Sequence, residues 1–153
     1  MCFCFEGTSI VKFEVREEIK VGEKTVARIY DIVTESDLGP INYELKNWSG
    51  WQSWSSKAFR DQFLKDLAAM AKGKRIKWIF SGHKMSREEI KRKIIEALQD
   101  DKWKAQLTSM MQDLSEKSPL KTIFGSKVDS AESLIKAIDE HDTIFDFLFE
   151  ITK

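Results

Sequence analysis

The chain predicts a mixed α/β fold: a central mixed sheet flanked by helices, with a helical C-terminal extension. Three observations lead there. Apolar residues recur close to every second position from Val11 to Trp48, the period of half-buried strands. From Lys57 onward the apolar spacing becomes helical, and one short apolar run, Arg75 to Phe80, stands between two such helices. At 153 residues the chain has the size of one domain with room for a sizeable core. We therefore expect a single unit over 1–153, with its core at about 11–98 and the extension at about 99–153.

Each element has its own signal. Val11, Phe13, Val15, Ile19 and Val21 alternate with charged residues and predict a first strand, which turns at Gly22-Glu23 into a β-branched second strand from Thr25 to Thr34. Glu35 to Pro40 is dense in turn formers, and Ile41 to Trp48 reads as a third strand. A polar loop carrying Trp51 and Trp54 leads to a helix from Lys57 to Lys72 with Phe59, Phe63, Leu67 and Met70 on one stripe. Gln62 and Asp66 lie at the margin of that stripe, where polar groups need partners.

Gly73 ends the helix, and Arg75 to Phe80 forms a short central strand. Ser86-Arg87-Glu88-Glu89 has capping-box spacing ahead of Ile90, Ile94, Ile95 and Leu98. A helix is expected from Asp101 to Lys117, followed by a break at Ser118-Pro119 and a loop through Phe124-Gly125-Ser126. Asp129 or Ser130 caps a further helix that buries Leu134, Ile135 and Ile138. The alternation of Phe145, Phe147, Phe149 and Ile151 predicts a closing strand from Thr143 to Thr152.

Composition narrows the classes. Hydrophobic residues make up 42% and charged residues 33%, which argues against wholesale disorder, and no apolar run is long enough to span a bilayer. Stable membrane insertion is not expected. Basic and acidic residues balance at 25 each, so there is no global basic field, yet nine basic residues between Lys72 and Lys93 face only Glu88 and Glu89. That segment either tracks a phosphate backbone or is a solvated helix face. Cys2 and Cys4 lack the further partners of a zinc site and read as incidental, and nothing resembles a signal peptide. His83 and His141 have no nearby Ser or Cys arrangement and read as structural.

One constellation carries chemistry. On an extended strand Glu44 and Lys46 share a face, with Tyr43 and Leu45 on the other, so Tyr43 and Leu45 are expected on a core while Glu44 and Lys46 look outward. Asp31 joins them if the turn pairs it with residue 44 or 46; a one-residue slip puts it behind the sheet. With Tyr30 and Ile32 taken as sharing a buried face, the first register is favoured. Two acids and a lysine then converge.

The order strand, strand with Asp31, strand with Glu44-x-Lys46, helix, strand, helix resembles the PD-(D/E)xK, or restriction-endonuclease-like, nuclease superfamily. The resemblance covers about Val11 to Leu98, and Tyr30 stands where the family name has proline. It implies a nuclease hydrolysing phosphodiester bonds in DNA or RNA with Mg2+, or another divalent cation such as Mn2+ or Zn2+. Asp31 and Glu44 would be the metal ligands together with the main-chain carbonyl of Leu45, Lys46 would orient or deprotonate water, and Gln62 would be a further catalytic polar residue. Such a site needs oxygen ligands for the ion and an activated water. Tyr43-Glu44-Leu45-Lys46-Asn47 followed by a Trp-rich loop is similar to the nuclease domains of bacterial polymorphic and contact-dependent growth inhibition toxins. That implies a cognate immunity protein as partner, delivery as part of a larger secreted protein, and action in the cytoplasm of the producing or target cell. The rivals are a non-catalytic binding, immunity or adaptor module with a surface Glu44–Lys46 pair, and a housekeeping repair or restriction nuclease of the same fold. Trp48, Trp51 and Trp54 either stack on unpaired bases or anchor their loop.

Overall fold

The computed structural model describes residues 9–35, 39–47, 54–81, 85–125 and 127–152. Five strands form one sheet in the order β1 (Ser9–Val21), β2 (Lys24–Glu35), β3 (Ile41–Asn47), β4 (Arg75–Ser81), β5 (Phe149–Ile151). The first three form an antiparallel meander, and β3, β4 and β5 run parallel. Helix α1 (Ser56–Met70) makes the β3-to-β4 crossover that parallel strands require. Between β4 and β5 come α2 (Arg87–Ala97), α3 (Asp101–Gln112), α4 (Pro119–Phe124), α5 (Ala131–Glu140) and α6 (Asp142–Leu148). The sheet is thus mixed and flanked by helices, as the spacing predicts.

Local chemistry sets the helix ends. Ser55 caps α1 by accepting from the Ala58 N–H at 3.2 Å, and Ser86 and Glu89 complete both halves of a capping box on α2. Pro119 occupies the first position of α4, where a missing N–H costs nothing, so Ser118-Pro119 starts a short helix rather than a loop. Helix α3 stops at Gln112, short of Lys117. The largest departure is at the C-terminus. Phe145 and Leu148, nearly one turn apart, are both buried, so residues 142–148 are helical, and only Phe149–Ile151 extend to pair with Trp78–Phe80. The alternating phenylalanines mimic a strand, but the two that bury most deeply, Phe145 and Phe149, stand one helical turn apart.

The main core lies between one sheet face and the helices. Trp78 and Phe80 of β4 point into it, with Phe59 and Phe63 of α1 around them; Phe59 meets Trp78 edge-on at 5.0 Å. The Trp103 indole N–H ties α3 to α1 by donating to the Arg60 carbonyl at 2.9 Å. A second, smaller cluster of Ile32, Tyr43 and Ile79 occupies the opposite face.

Strands β1 and β2 change faces at one point. The pairs run Val15↔Tyr30 and then Phe13↔Ile32, passing over Glu14 and Asp31, and Tyr30 packs in the main core while Ile32 packs in the second cluster. Tyr30 and Ile32 therefore do not share a face as expected; the alternation breaks at Asp31, the step where the β1 partner is the irregular Glu14. Glu14 carries the strain with φ 50, a region that side chains other than glycine avoid. Glu14→Gly is expected to cost under about 0.5 kcal/mol, whereas the β-branched Glu14→Val costs more than about 1 kcal/mol, as read by urea unfolding.

Candidate active site

The third strand delivers Glu44 and Lys46 to the helix-covered face. Their parallel neighbours are Trp78 and Phe80, both core residues, and Lys46 Nζ lies 5.3 Å from the centre of a Trp78 ring. The sequence expectation placed Glu44 and Lys46 outward; the structure reverses it. Tyr43 and Leu45 face the small cluster, and Glu44 is only 4% exposed beneath α1. Lys46 remains a quarter exposed and meets Glu44 Oε1 at 2.6 Å, so it lies between the buried acid and solvent.

A buried carboxylate needs more than one lysine at its edge, and the structure supplies Arg28. Its Nη2 is 3.1 Å from Glu44 Oε2, and its Nε and Nη2 donate to Asp66 at 2.8 and 3.1 Å. The Trp78 indole N–H donates to the same Asp66 carboxylate at 2.7 Å. Lys46, Glu44, Arg28 and Asp66 thus form one chain of alternating charge, with the last three almost wholly buried. Burial pushes the Asp66 carboxyl up, against the pull of the Arg28 fork and the Trp78 N–H. Burial also disfavours the Arg28 cation, but the hydrogen bond and charge of Asp66 outweigh it and hold its pKa above the ordinary arginine value. Paired burial of this kind is tolerated only because every charge meets its opposite.

Tyr30 forms the floor of this network, its ring 5.0 Å from the Arg28 guanidinium carbon. Its hydroxyl is buried without a hydrogen-bond partner among the described residues, and burial raises its pKa. Two outcomes follow for Tyr30→Phe. Deleting an unsatisfied hydroxyl is expected to raise stability by about 1 kcal/mol at neutral pH. Above the ordinary tyrosine value of about 10, the unfolded chain releases this proton first, so stability falls as pH rises, and the substitution reduces that slope. Urea unfolding at neutral and alkaline pH reads both.

Asp31 reaches the site by a different route. The β2–β3 ladder holds only from Thr34↔Ile41 to Ile32↔Tyr43, and one step further the same register sets Asp31 opposite Glu44. There Asp31 Oδ2 accepts the Leu45 N–H at 2.7 Å, so a side chain replaces the next backbone partner. This is the register with residue 44, not the slip. Asp31 is half-buried, and its bond to Leu45 fixes it at the strand that carries Glu44 and Lys46.

The other expected residues divide. Gln62 is half-buried on α1 one turn before Asp66 and makes no side-chain hydrogen bond to the network among the described residues. Trp54 packs on Phe59 at 5.1 Å and donates to Ser56 Oγ at 2.9 Å, an anchoring role; Trp48 and Trp51 lie outside the described residues. So do Cys2, Cys4 and His83, while His141 is exposed between α5 and α6. Much of the basic segment is paired: Arg87 with Asp142 and Asp146, Lys91 with Asp142, Arg92 and Lys93 with Glu96, Lys74 with Glu17. Among the described residues no helix is long and apolar enough to cross a membrane.

The donor set can be tested against a divalent ion. Among the described residues no group of three or more His, Cys, Asp or Glu is placed to hold a metal. Magnesium or manganese needs less, because such an ion keeps several waters and takes one or two carboxylates. The oxygens such an ion would take are Asp31 Oδ1, outside the bond to Leu45, and Glu44 Oε1, which Lys46 now occupies. No family model, no curated protein and no solved structure matches the chain.

Sequence reasoning missed Arg28. It sits in an alternating strand like any charged residue, and only the burial of Tyr30 on the same side, by comparison with exposed Ile29, separates it from a solvent-facing arginine. The one available signal was Asp66 on an apolar helix face, which demanded a cation from elsewhere.

Proposed function

We propose that the protein is a divalent-metal-dependent nuclease that hydrolyses phosphodiester bonds in DNA or RNA. The observation that carries the reading is the Asp31–Leu45 bond, which fixes an acid beside the strand bearing Glu44 and Lys46. Asp31 and Glu44 would hold magnesium or manganese, which when bound offsets phosphate charge and makes water more acidic. Lys46, at the solvent edge, would orient a water and offset anionic charge. Gln62 would contact substrate or solvent from the first half of α1.

The narrower reading, a delivered toxin domain that a cognate immunity protein restrains in the bacterial cytoplasm, rests on the sequence resemblance alone. Growth arrest on induction in cells lacking such a partner is its test. One observation favours a second reading: both Glu44 oxygens already face cations, as in a purely structural network of a non-catalytic module.

Incubation of the purified protein with plasmid and with total RNA, with and without magnesium or manganese, separates the two. Metal-dependent cleavage of at least one substrate is expected. Intact plasmid and RNA under all conditions would overturn the nuclease reading.

A further inference from the structure

We infer that Arg28 is a positioning residue for Glu44, held in place by Asp66 and Trp78; the inference rests on the nuclease reading. A carboxylate turns readily about its terminal bond, so an acid that must present one oxygen to an ion needs the other restrained. Arg28 does this. Of the two Glu44 oxygens its Nη2 meets only Oε2, leaving Oε1 toward Lys46 and the open edge of the site.

The guanidinium is itself immobilised. Nε and Nη2 grip Asp66, and Nη1 donates to the Ile29 carbonyl at 2.6 Å. Asp66, 1% exposed, is in turn fixed by the Trp78 indole, and Trp78 is the register neighbour of Glu44 on β4. The path from α1 through Arg28 returns to the strand pair that bears the site. A lysine could supply the charge but not the planar fork that reaches two acids at once. Loss of an outer contact that orients a metal ligand in this way typically weakens metal affinity about 10- to 100-fold.

The test pairs Arg28→Met with Asp66→Asn. The two buried charges leave together, and the amide oxygen that Asp66→Asn introduces remains an acceptor for the Trp78 indole, so the fold is expected to survive. Mn2+ affinity is measured by calorimetry, and cleavage is followed against Mn2+ concentration. The expected result is a folded double variant that binds Mn2+ at least about tenfold more weakly, with cleavage partly recovered at saturating metal. An affinity within about twofold of the unaltered protein in that folded variant overturns the inference and leaves the nuclease reading standing. If the double variant does not fold, Arg28→Lys decides: weakening by about threefold or more supports the inference, and no change overturns it. Failure of the unaltered protein to bind Mn2+ or to cleave removes the nuclease reading and this inference with it.

Discussion

Lys46→Ala is expected to lower metal-dependent cleavage by about a hundredfold to ten-thousandfold, the usual range for a side chain that assists proton transfer. Glu44→Gln is expected to lose as much or more, because it removes the charge of the proposed metal ligand and leaves an amide that would hold the ion poorly. The two differ in their effect on metal. Glu44→Gln weakens Mn2+ binding, whereas Lys46→Ala leaves it intact or strengthens it, since the lysine occupies the same Glu44 oxygen. Lys46 is three-quarters buried and pairs with the buried Glu44 carboxylate, which keeps Arg28 as its other partner, so its removal is expected to lower the thermal midpoint, though by less than loss of Arg28 does. Steady-state cleavage with calorimetry on folded variants measures both. Activity within about threefold of the unaltered protein for Lys46→Ala would remove it from the chemistry.

Arg28→Met alone is expected to destabilise the fold by about 3–5 kcal/mol, since it leaves two buried carboxylates without their shared cation. Against a total stability of about 5–15 kcal/mol for a domain, that is a large fraction. Adding Asp66→Asn is expected to restore much of the loss, because it removes one of the stranded charges while keeping an acceptor for Trp78. Urea unfolding of the two singles and the double gives the coupling. Additive effects would show that Arg28 and Asp66 do not act as a pair.

The meander, the α1 crossover and the caps were legible because each depends on residues close in sequence. Val15 and Ile19 alternate, Phe59, Phe63 and Leu67 line a stripe, and Ser86 and Glu89 stand three apart. Glu44 and Lys46 share a face for the same reason. The helix at 142–148 was not legible, because Phe145, Phe147 and Phe149 fit period two, and the contact that overrides it is burial of Phe145 against distant elements. The break in alternation at Glu14 and Asp31 was hidden likewise: no glycine or proline marks it, and it shows only in which core Tyr30 and Ile32 join.

By itself the sequence determined the mixed sheet, its first three strands, the crossover helix and the pairing of Glu44 with Lys46 on one face. Those follow from backbone geometry, which repeats over two or nearly four residues and needs no partner far away. The tertiary structure alone decided which sheet face the helices cover, and so that Glu44 is buried and not outward. It decided that Asp31 ends the β2–β3 ladder on the Leu45 N–H, and that Arg28, 38 positions before Asp66, bridges that acid to Glu44. Such pairings are selected by the cost of burying an unmatched charge, and that cost is set only when distant segments close over it.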